Sequence, residues 1–203
     1  MNKVLKLFKQ KKPIIGLIHL KGNTDEEIIN NAIKEIDIYK QNNIDGILVE
    51  NYFGNYYHME SILGYLKNEE SELVYGVNCL NMDVMSFDLA NRFNAKFIQM
   101  DSVVGHLKPR DDYSLEAFLK KYRSETDACI FGGVRFKYQP ILSQRSIEED
   151  LKIGMTRCDA IVVTQDATGQ ETSLGKITEF RNIIGDFPLF VGAGMTLENC
   201  DKN

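Results

Sequence analysis

Residues Leu189–Thr196 read LFVGAGMT, and this stretch decides between the two folds that the rest of the sequence allows. A short apolar run ends in two glycines and a threonine, a pattern typical of a buried strand followed by a turn that approaches an anion closely. The stretch opens with the last of seven short apolar runs, each rich in β-branched or aromatic residues and too short for a lone helix. The seven runs are Ile14–Leu20, Gly46–Glu50, Leu73–Cys79, Lys96–Met100, Ala128–Phe136, Ala160–Thr164 and Leu189–Gly192.

Longer periodic stretches separate these runs and predict helices. Four of them are Asp25–Gln41, Asp83–Phe93, Leu115–Tyr122 and Leu174–Ile184. Ser146 and Glu149 match a capping box at the start of a further helix, and Thr172 or Ser173 can cap the last one. Strands that alternate with helices predict a parallel sheet, because parallel neighbours need a long crossover connection.

Two architectures fit this order, an open doubly wound sheet and a closed barrel. An open sheet usually carries a glycine-rich fingerprint after its first strand. Here the first run ends in HLKG (residues 19–22), and the glycine pair of Gly192–Gly194 follows the seventh run instead. A phosphate site after the seventh and eighth strands is typical of the (β/α)₈ barrel. We therefore predict an α/β fold of the (β/α)₈ TIM-barrel type.

The predicted barrel is one domain over residues 1–203, and its last part is expected to be missing. The chain stops soon after Gly194, before an eighth strand and its helix. Either the chain is truncated, or something else closes the gap. A homo-oligomer that covers the open barrel edge is one expectation, since an unpaired edge strand recruits partners.

Composition and charge exclude several classes of protein. The net charge is −5, so no global basic field holds nucleic acid or an anionic membrane. No apolar stretch approaches the ~20 residues of a membrane span, and the start lacks the apolar core of a signal peptide. The four cysteines lie far apart without a CxxC pair, which indicates reduced thiols. These features predict a cytoplasmic protein with no integral membrane segment.

Polar residues end every one of the seven runs, where ligands bind in parallel α/β folds. Loops begin there and are polar in any case, so the collective pattern is better evidence than any single residue. The residues are His19, Glu50, Asn51, Asn78, Gln99, Asp101, Arg135, Lys137, Thr164, Gln165, Asp166 and Gly192–Thr196.

Proton transfer is the chemistry that some of these residues suggest. Glu50 and Asp101 are candidate general base and acid, because an enclosed carboxylate can have its pKa raised toward neutrality. The alternative is a buried ion pair with Arg135 or Lys137. His19 is a candidate proton shuttle, and a hydrogen-bonded structural histidine is nearly as good an interpretation.

Phosphate binding is the second suggested chemistry. Arg135 and Lys137 lie two residues apart on one predicted strand, so they point the same way and can neutralise a phosphate or carboxylate. The amides of Gly192, Ala193 and Gly194 can approach an anion, and Thr196 can cap a following helix. A tight turn that merely needs glycine is the alternative.

Several other features have plainer interpretations. A metal site of His19, Glu50 and Asp101 lacks a close-spaced ligand pair, so we predict neither a metal nor a cofactor. The aromatic stretch Tyr52–Tyr57 is either a lid or a loop packed on the barrel rim. His58 is expected at the surface, at the start of a helix. His106 lies in a loop and is a weaker candidate for proton transfer than His19.

Six blocks in one order resemble the BtpA/SgcQ family over nearly the whole chain, from about Pro13 to Asn199. They are IGLIHLKG (15–22), DGILVEN (45–51), GVNCL (76–80), GGVRFKYQP (132–140), CDAIVVT (158–164) with ATG (167–169), and VGAGMTLEN (191–199). The resemblance implies a ribulose-phosphate-binding-type TIM barrel. It also implies the site residues Glu50, Asn51, Asn78, Lys137, Thr164, Thr168, Gly169, Gly192 and Gly194.

Three functions remain open on this basis. The first is an enzyme that acts on a small phosphorylated, sugar-like substrate by proton transfer, as an isomerase, epimerase or lyase. The second is a non-catalytic assembly or biogenesis factor of a membrane complex, since one member type is named for photosystem I assembly. The third is an incomplete, inactive barrel. Some relatives carry a phosphoribosylanthranilate-isomerase-like label, but that reaction needs a cysteine after the first strand, where this chain has His19.

Overall fold

A computed structural model describes residues 3–70, 72–105 and 111–200. In this described part, seven parallel strands alternate with helices and follow one another through the sheet in sequence order. The strands are β1 (Ile15–Ile18), β2 (Gly46–Glu50), β3 (Tyr75–Asn78), β4 (Phe97–Met100), β5 (Cys129–Gly133), β6 (Ala160–Val163) and β7 (Leu189–Val191). The helices are α1 (Val4–Leu7), α2 (Asp25–Gln41), α3 (Tyr56–Glu69), α4 (Asp83–Phe93), α5 (Asp112–Arg123), α6 (Ile147–Arg157) and α7 (Leu174–Ile184).

The described residues form two compact units. One lies within Met1–Gln99 and Glu125–Cys129, and the other within Met100–Ser124 and Ile130–Asn203. The earlier expectation of a single domain that lacks an eighth strand stays a prediction. No helix among the described residues is long and apolar enough to cross a bilayer.

In the first unit, the strand register sorts side chains onto two faces. Successive side chains of a strand alternate between the faces of its sheet. Gly16 lies against the ring of Tyr39 on α2, so close that a Cβ there would approach the ring to 2.6 Å. This face of the sheet therefore packs on the helices.

The opposite face of the first unit carries Gly46, Leu48 and Glu50 of β2. Phe8, which follows α1, packs against Gly46 and contacts Phe97 with ring centroids 6.1 Å apart. The two aromatic rings thus fill the amino end of this face. Leu48 follows, buried at 3% exposure, and Glu50 lies at the carboxyl end.

The second unit has the same two-faced arrangement. Phe131 of β5 and Phe190 of β7 stack with ring centroids 4.6 Å apart. Further along the strands, a Cβ at Gly192 would lie 3.3 Å from side-chain carbons of both Val162 and Thr164. Gly154 of α6 packs on the other face, where its Cβ would meet Val134 and Ile161.

Side-chain caps set the starts of the helices. Thr24 accepts a hydrogen bond from the amide of Glu27 at the start of α2, and Ser173 does the same for Lys176 in α7. Ser146 and Glu149 form the predicted capping box of α6. Each such cap satisfies amides that have no partner within the helix.

We expect Phe8→Ala to lower the free energy of unfolding by about 3 kcal/mol, because a buried aromatic ring is lost and a cavity remains. Urea denaturation of the full chain measures this change. Leu5→Ala is the matched control, since Leu5 belongs to α1 but is 62% exposed; it should cost less than ~0.5 kcal/mol. Equal losses in the two variants would contradict the packing of Phe8 on the first unit.

Candidate functional site

Glu50 and Asn78 form a buried polar pair at the carboxyl ends of β2 and β3. The register places the two residues directly opposite each other, so their side chains share one face. Each is only 2% exposed, and Asn78 Nδ2 donates a hydrogen bond to Glu50 Oε2 at 3.3 Å. A carboxylate held in this way, within the sheet and away from bulk water, has a defined orientation.

Asn51 and His19 lie near the same strand ends of the first unit. Asn51 Oδ1 accepts a hydrogen bond of 2.7 Å from the amide of Leu80, which ties the end of β2 to the loop after β3. The ring of His19 contacts Tyr52 and Phe53, with centroids 5.4 and 6.5 Å away. The carbonyl of His19 also accepts a hydrogen bond from the amide of Phe53. Tyr52 and Phe53, at the start of the aromatic stretch, therefore pack against His19.

The prediction that His58 lies at the surface is wrong. His58 is 6% exposed, and its Nδ1 accepts a hydrogen bond from the amide of Asn55 to complete the capping box of α3. Its Nε2 lies 3.0 Å from Asp25 Oδ1 on α2. The side chain caps one helix and contacts another, so its role is structural. His106 lies outside the described residues.

Thr164 is the best-enclosed polar residue among the predicted site residues of the second unit. It is 1% exposed, and its Oγ1 accepts a hydrogen bond of 2.8 Å from the amide of Lys137. Its carbonyl oxygen accepts a hydrogen bond of 2.6 Å from Lys176 Nζ. The loop after β5 and the start of α7 thus both hold the end of β6.

Arg135 and Lys137 do not share a strand, which corrects the prediction that they point the same way. The apolar run extends to Phe136, but β5 ends at Gly133, where the carbonyl of Asp101 approaches so closely that a side chain would collide with it. Arg135 has a positive φ of 49°. Lys137 Nζ lies over the ring of Phe136, 5.7 Å from its centroid.

Asp150 of α6, which is fully buried, supplies the partner of Arg135. Its carboxylate accepts hydrogen bonds from Arg135 Nε at 3.0 Å and from Arg145 Nε at 2.8 Å. Arg145 also pairs with Asp112, which pairs with Arg157 at 2.7 Å. A chain of alternating charges thus connects the loop after β5 to α5 and α6. Its members after Arg135 are Asp150, Arg145, Asp112 and Arg157.

The carboxyl of Asp101, a candidate acid, follows β4 and is partly exposed. Its backbone carbonyl accepts a hydrogen bond of 3.0 Å from Gln139 Nε2. Asp101 is thereby joined to the loop after β5 through its main chain.

The Gly192–Thr196 segment forms a tight turn whose two ends are held by hydrogen bonds to residues outside it. The amide of Gly192 donates to the carbonyl of Val163 at 2.8 Å, and the amide of Thr196 donates to Asn199 Oδ1 at 2.8 Å. Ala193 and Gly194 have positive φ values of 66° and 64°. The phosphate hypothesis therefore depends on the amides of Ala193 and Gly194.

The predicted role of Thr196 as the cap of a following helix stays a prediction, because residues 201–203 lie outside the described part of the chain; the carbonyl of Thr196 accepts a hydrogen bond of 3.0 Å from the amide of Cys200. The chain through Cys200 forms a turn, in which Thr196 Oγ1 accepts a hydrogen bond of 3.3 Å from the amide of Glu198. Asn199 Nδ2 donates a hydrogen bond to the carbonyl of Gly194, so the Asn199 side chain links the glycine turn to the residues after Thr196.

Thr168 and Gly169 lie in an exposed turn after β6. The amide of Thr168 donates a hydrogen bond of 2.9 Å to the hydroxyl of Tyr138 in the loop after β5. Gly169 has a positive φ of 78°, which glycine adopts without strain.

Lys176 is the residue that the sequence analysis missed. It lies in the first turn of α7, where a cation opposes the helix dipole, and this unusual position was the available signal. Burial lowers the pKa of Lys176; the charges of Asp166 and Glu179 act to raise it, and that of Arg135 lowers it further.

The described residues offer neither a reactive buried thiol nor a metal-holding cluster. Burial raises the pKa of Cys79 to about 11 and that of Cys158 to about 12, so both thiols stay protonated near neutral pH. No group of three or more histidine, cysteine, aspartate or glutamate residues in the described ranges is arranged to hold a metal ion. The expectations of no metal and no cofactor stay predictions.

Similarity to a solved structure establishes the class of protein. The 7,8-dihydropteroate synthase of Vibrio fischeri superposes with a TM-score of 0.60 at 11% identity, covering 90% of this chain and 73% of that one. At this identity the likeness concerns the fold alone. It confirms the predicted α/β class: the chain is a protein of the TIM-barrel type.

The family model described as "BtpA family" matches residues 10–203, so the chain belongs to the BtpA family. An uncharacterised protein of Methanocaldococcus jannaschii is 24% identical over 220 residues, which cover 97% of this chain and 83% of that protein. The photosystem I biogenesis protein BtpA of Synechocystis sp. is 25% identical over 218 residues, covering 95% of this chain and 76% of that protein. The resemblance predicted from the six sequence blocks is confirmed.

We expect Asp150→Ala to lower the free energy of unfolding by about 3 kcal/mol, because two arginines lose a buried partner. Chemical denaturation measures the loss. Glu148→Ala on the same helix is the control, since the Glu148 side chain is 58% exposed and pairs with Lys152; it should cost ~0.5 kcal/mol or less. A similar small loss for Asp150→Ala would show that the buried pairs contribute little.

We expect the stability difference between the wild type and Asp112→Asn to shrink as the pH falls. Burial alone would raise the pKa of Asp112, but hydrogen bonds from Arg157 and the amide of Gly105, with the charge of Arg145, lower it. Because the pKa of Asp112 is lowered in the folded state, its ionised carboxylate stabilises the fold at pH values above the ordinary pKa of 3.8. This stabilisation is lost as the pH falls through the folded-state pKa. Denaturation curves at several pH values between about 2 and 6 check this; a difference independent of pH would refute it.

Proposed function

We propose that this chain is an enzyme that acts on a small phosphorylated, sugar-like substrate by proton transfer, as an isomerase, epimerase or lyase. The observation that carries the proposal is the burial of Glu50, 2% exposed, at the carboxyl end of a barrel strand. Removing a carboxylate from water costs free energy, and barrel enzymes place such groups at this end of their strands.

Glu50 is the group that moves the proton in this proposal. Asn78 holds one carboxylate oxygen through its amide, which fixes the orientation of the carboxylate and leaves it able to accept a proton. His19 and Asp101 are proposed as further proton-transfer groups. Asn51, which hydrogen-bonds the amide of Leu80, is proposed to line the substrate site.

Phosphate binding is proposed for the second unit. Glycine turns bring backbone amides close to anions, and Ala193 and Gly194 supply such amides. Lys137 supplies the positive charge, and its own amide is held by Thr164. Gly192, Thr168, Gly169 and Thr196 shape the surrounding turns, whereas Arg135, paired with Asp150, sets the course of the loop.

The second candidate function is that of a non-catalytic assembly or biogenesis factor of a membrane complex. The name of the Synechocystis relative favours it. A scaffold of this kind needs an intact fold but not the carboxylate of Glu50. A cytoplasmic location and a homo-oligomer stay predictions under either function.

We expect the protein to exchange a carbon-bound proton of its substrate with solvent, because isomerases and epimerases labilise a proton next to a carbonyl group. Proton NMR in D₂O follows this exchange for ribose 5-phosphate, ribulose 5-phosphate and glyceraldehyde 3-phosphate. Glu50→Gln keeps the shape of the side chain and the partner Asn78, so it should abolish exchange while the melting temperature changes little.

Lys137→Ala should weaken binding of the same substrate, seen as a smaller ligand-induced rise in melting temperature.

Lys152→Ala is the control for Lys137→Ala, because the Lys152 side chain is 64% exposed on the outer side of α6. A protein that catalyses no exchange with any probe, and whose melting temperature no phosphate raises, would leave the assembly function as the better explanation. Exchange that survives Glu50→Gln would retain an enzyme but remove Glu50 from its mechanism.

A further inference from the structure

A cleft of about 570 Å³ opens in the second unit between the loop after β5 and helix α7. Its walls include the buried rings of Phe136 and Phe180 together with Ile147. Lys176, Asp166 and Glu179 bring charged groups to the same walls. The cleft therefore combines an apolar wall with an amine and two carboxylates.

Lys176 is held in this cleft by its amine. The side chain is 20% exposed, and Nζ donates a hydrogen bond of 2.6 Å to the carbonyl of Thr164. Asp166 Oδ1 lies 4.0 Å from the same nitrogen, within reach of proton transfer through one water molecule. A neutral lysine amine can keep the hydrogen bond to Thr164 with one N–H and still direct its lone pair elsewhere.

The surroundings make the ammonium form of Lys176 less stable than it is in a free lysine. Burial disfavours the ammonium form, and this is the main cause that lowers the pKa of Lys176. Asp166 and Glu179 oppose the shift, and Arg135 adds to it. Desolvation in an apolar pocket is one of the ways in which a lysine is activated as a nucleophile.

We propose that Lys176 is a nucleophilic amine that takes a small aldehyde or ketone with an apolar body into this cleft as a Schiff base. The neutral Nζ attacks the carbonyl carbon, the Asp166 carboxylate takes the proton that the nitrogen loses, and this proton is then passed to the carbonyl oxygen to give the carbinolamine. Loss of water from this carbinolamine then forms the C=N bond. The apolar wall holds the carbon skeleton of the ligand, and the reaction consumes no oxidant or reductant. Glu50 has no part in this step, so the site goes beyond the proposed function.

Reductive trapping tests the proposal. The full chain is treated at pH 7 with a limiting amount of butyraldehyde and sodium cyanoborohydride, whose hydride converts the imine to a stable secondary amine. Peptide mass mapping then gives the rate of modification of each lysine. We expect Lys176 to react several-fold faster than Lys152, because burial in the cleft lowers its pKa and so raises the fraction of neutral amine at pH 7. Lys152 is the comparison because it is exposed and paired only with Glu148 among the described residues.

Lys176→Arg separates the reactive amine from a purely structural role. Arginine can still donate to the carbonyl of Thr164, so this variant should keep the melting temperature of the wild type within a few degrees. Its fast phase of aldehyde uptake should disappear and not move to another lysine. The proposal fails if Lys176 is labelled no faster than Lys152, or if the variant takes up aldehyde as fast as the wild type. Proton exchange with sugar phosphates is measured separately, so failure here leaves the proposed function untouched.

Discussion

The parallel pairing of β2 with β3 is the constraint on which the candidate chemistry of the first unit depends. The hydrogen-bond register places Val49 opposite Val77 and Glu50 opposite Asn78. A slip of one residue would reverse the faces of a strand. Glu50 would then point toward the helices, and Leu48 would leave the face that Phe8 and Phe97 fill at its amino end. The packing of the unit and the orientation of its buried carboxylate are therefore set by the same register.

Local signals explain how much of the fold could be predicted. The bounds of β2, α2, α4 and α7 agree with the sequence prediction because glycine, caps and apolar periodicity mark their ends within a few residues. The end of β5 could not be predicted this way. Its apolar run continues to Phe136, but the strand ends at Gly133 and Arg135 adopts a positive φ of 49°, which the apolar pattern does not reveal.

The candidate site was predictable for a similar reason and only in part. Glu50, Asn78 and Thr164 are polar residues at the ends of apolar strands, so their burial at strand ends follows from the pattern. The partner of Arg135 could not be found, since Asp150 is one of several acidic residues in the first turn of α6. Lys176 was missed because its contact is with the main chain of Thr164, which no side-chain pattern reveals.

Charge pairing in the second unit limits which cations can serve a ligand. Arg135 and Arg145 share the fully buried Asp150, and Arg157 is held by Asp112. These pairs stabilise the loop after β5 because removing either partner would leave a buried charge. Lys137 and Lys176 contact the end of β6 in other ways, one through its amide and one through its amine to a carbonyl. Lys137 and Lys176 are therefore better candidates than the arginines for contact with a ligand.

The fold by itself does not distinguish an enzyme from an assembly factor, so the distinction has to come from particular side chains. A protein that acts only by docking needs exposed recognition groups, and a carboxylate buried against an amide contributes nothing to such a surface. Burying Glu50 costs free energy that a leucine at the same position would not. The hydrogen bond from Asn78 Nδ2 offsets part of that cost. A cost of this kind is typical of functional sites, where stability is given up for a defined chemical group. The placement of Glu50 therefore favours the proposed enzyme over a scaffold.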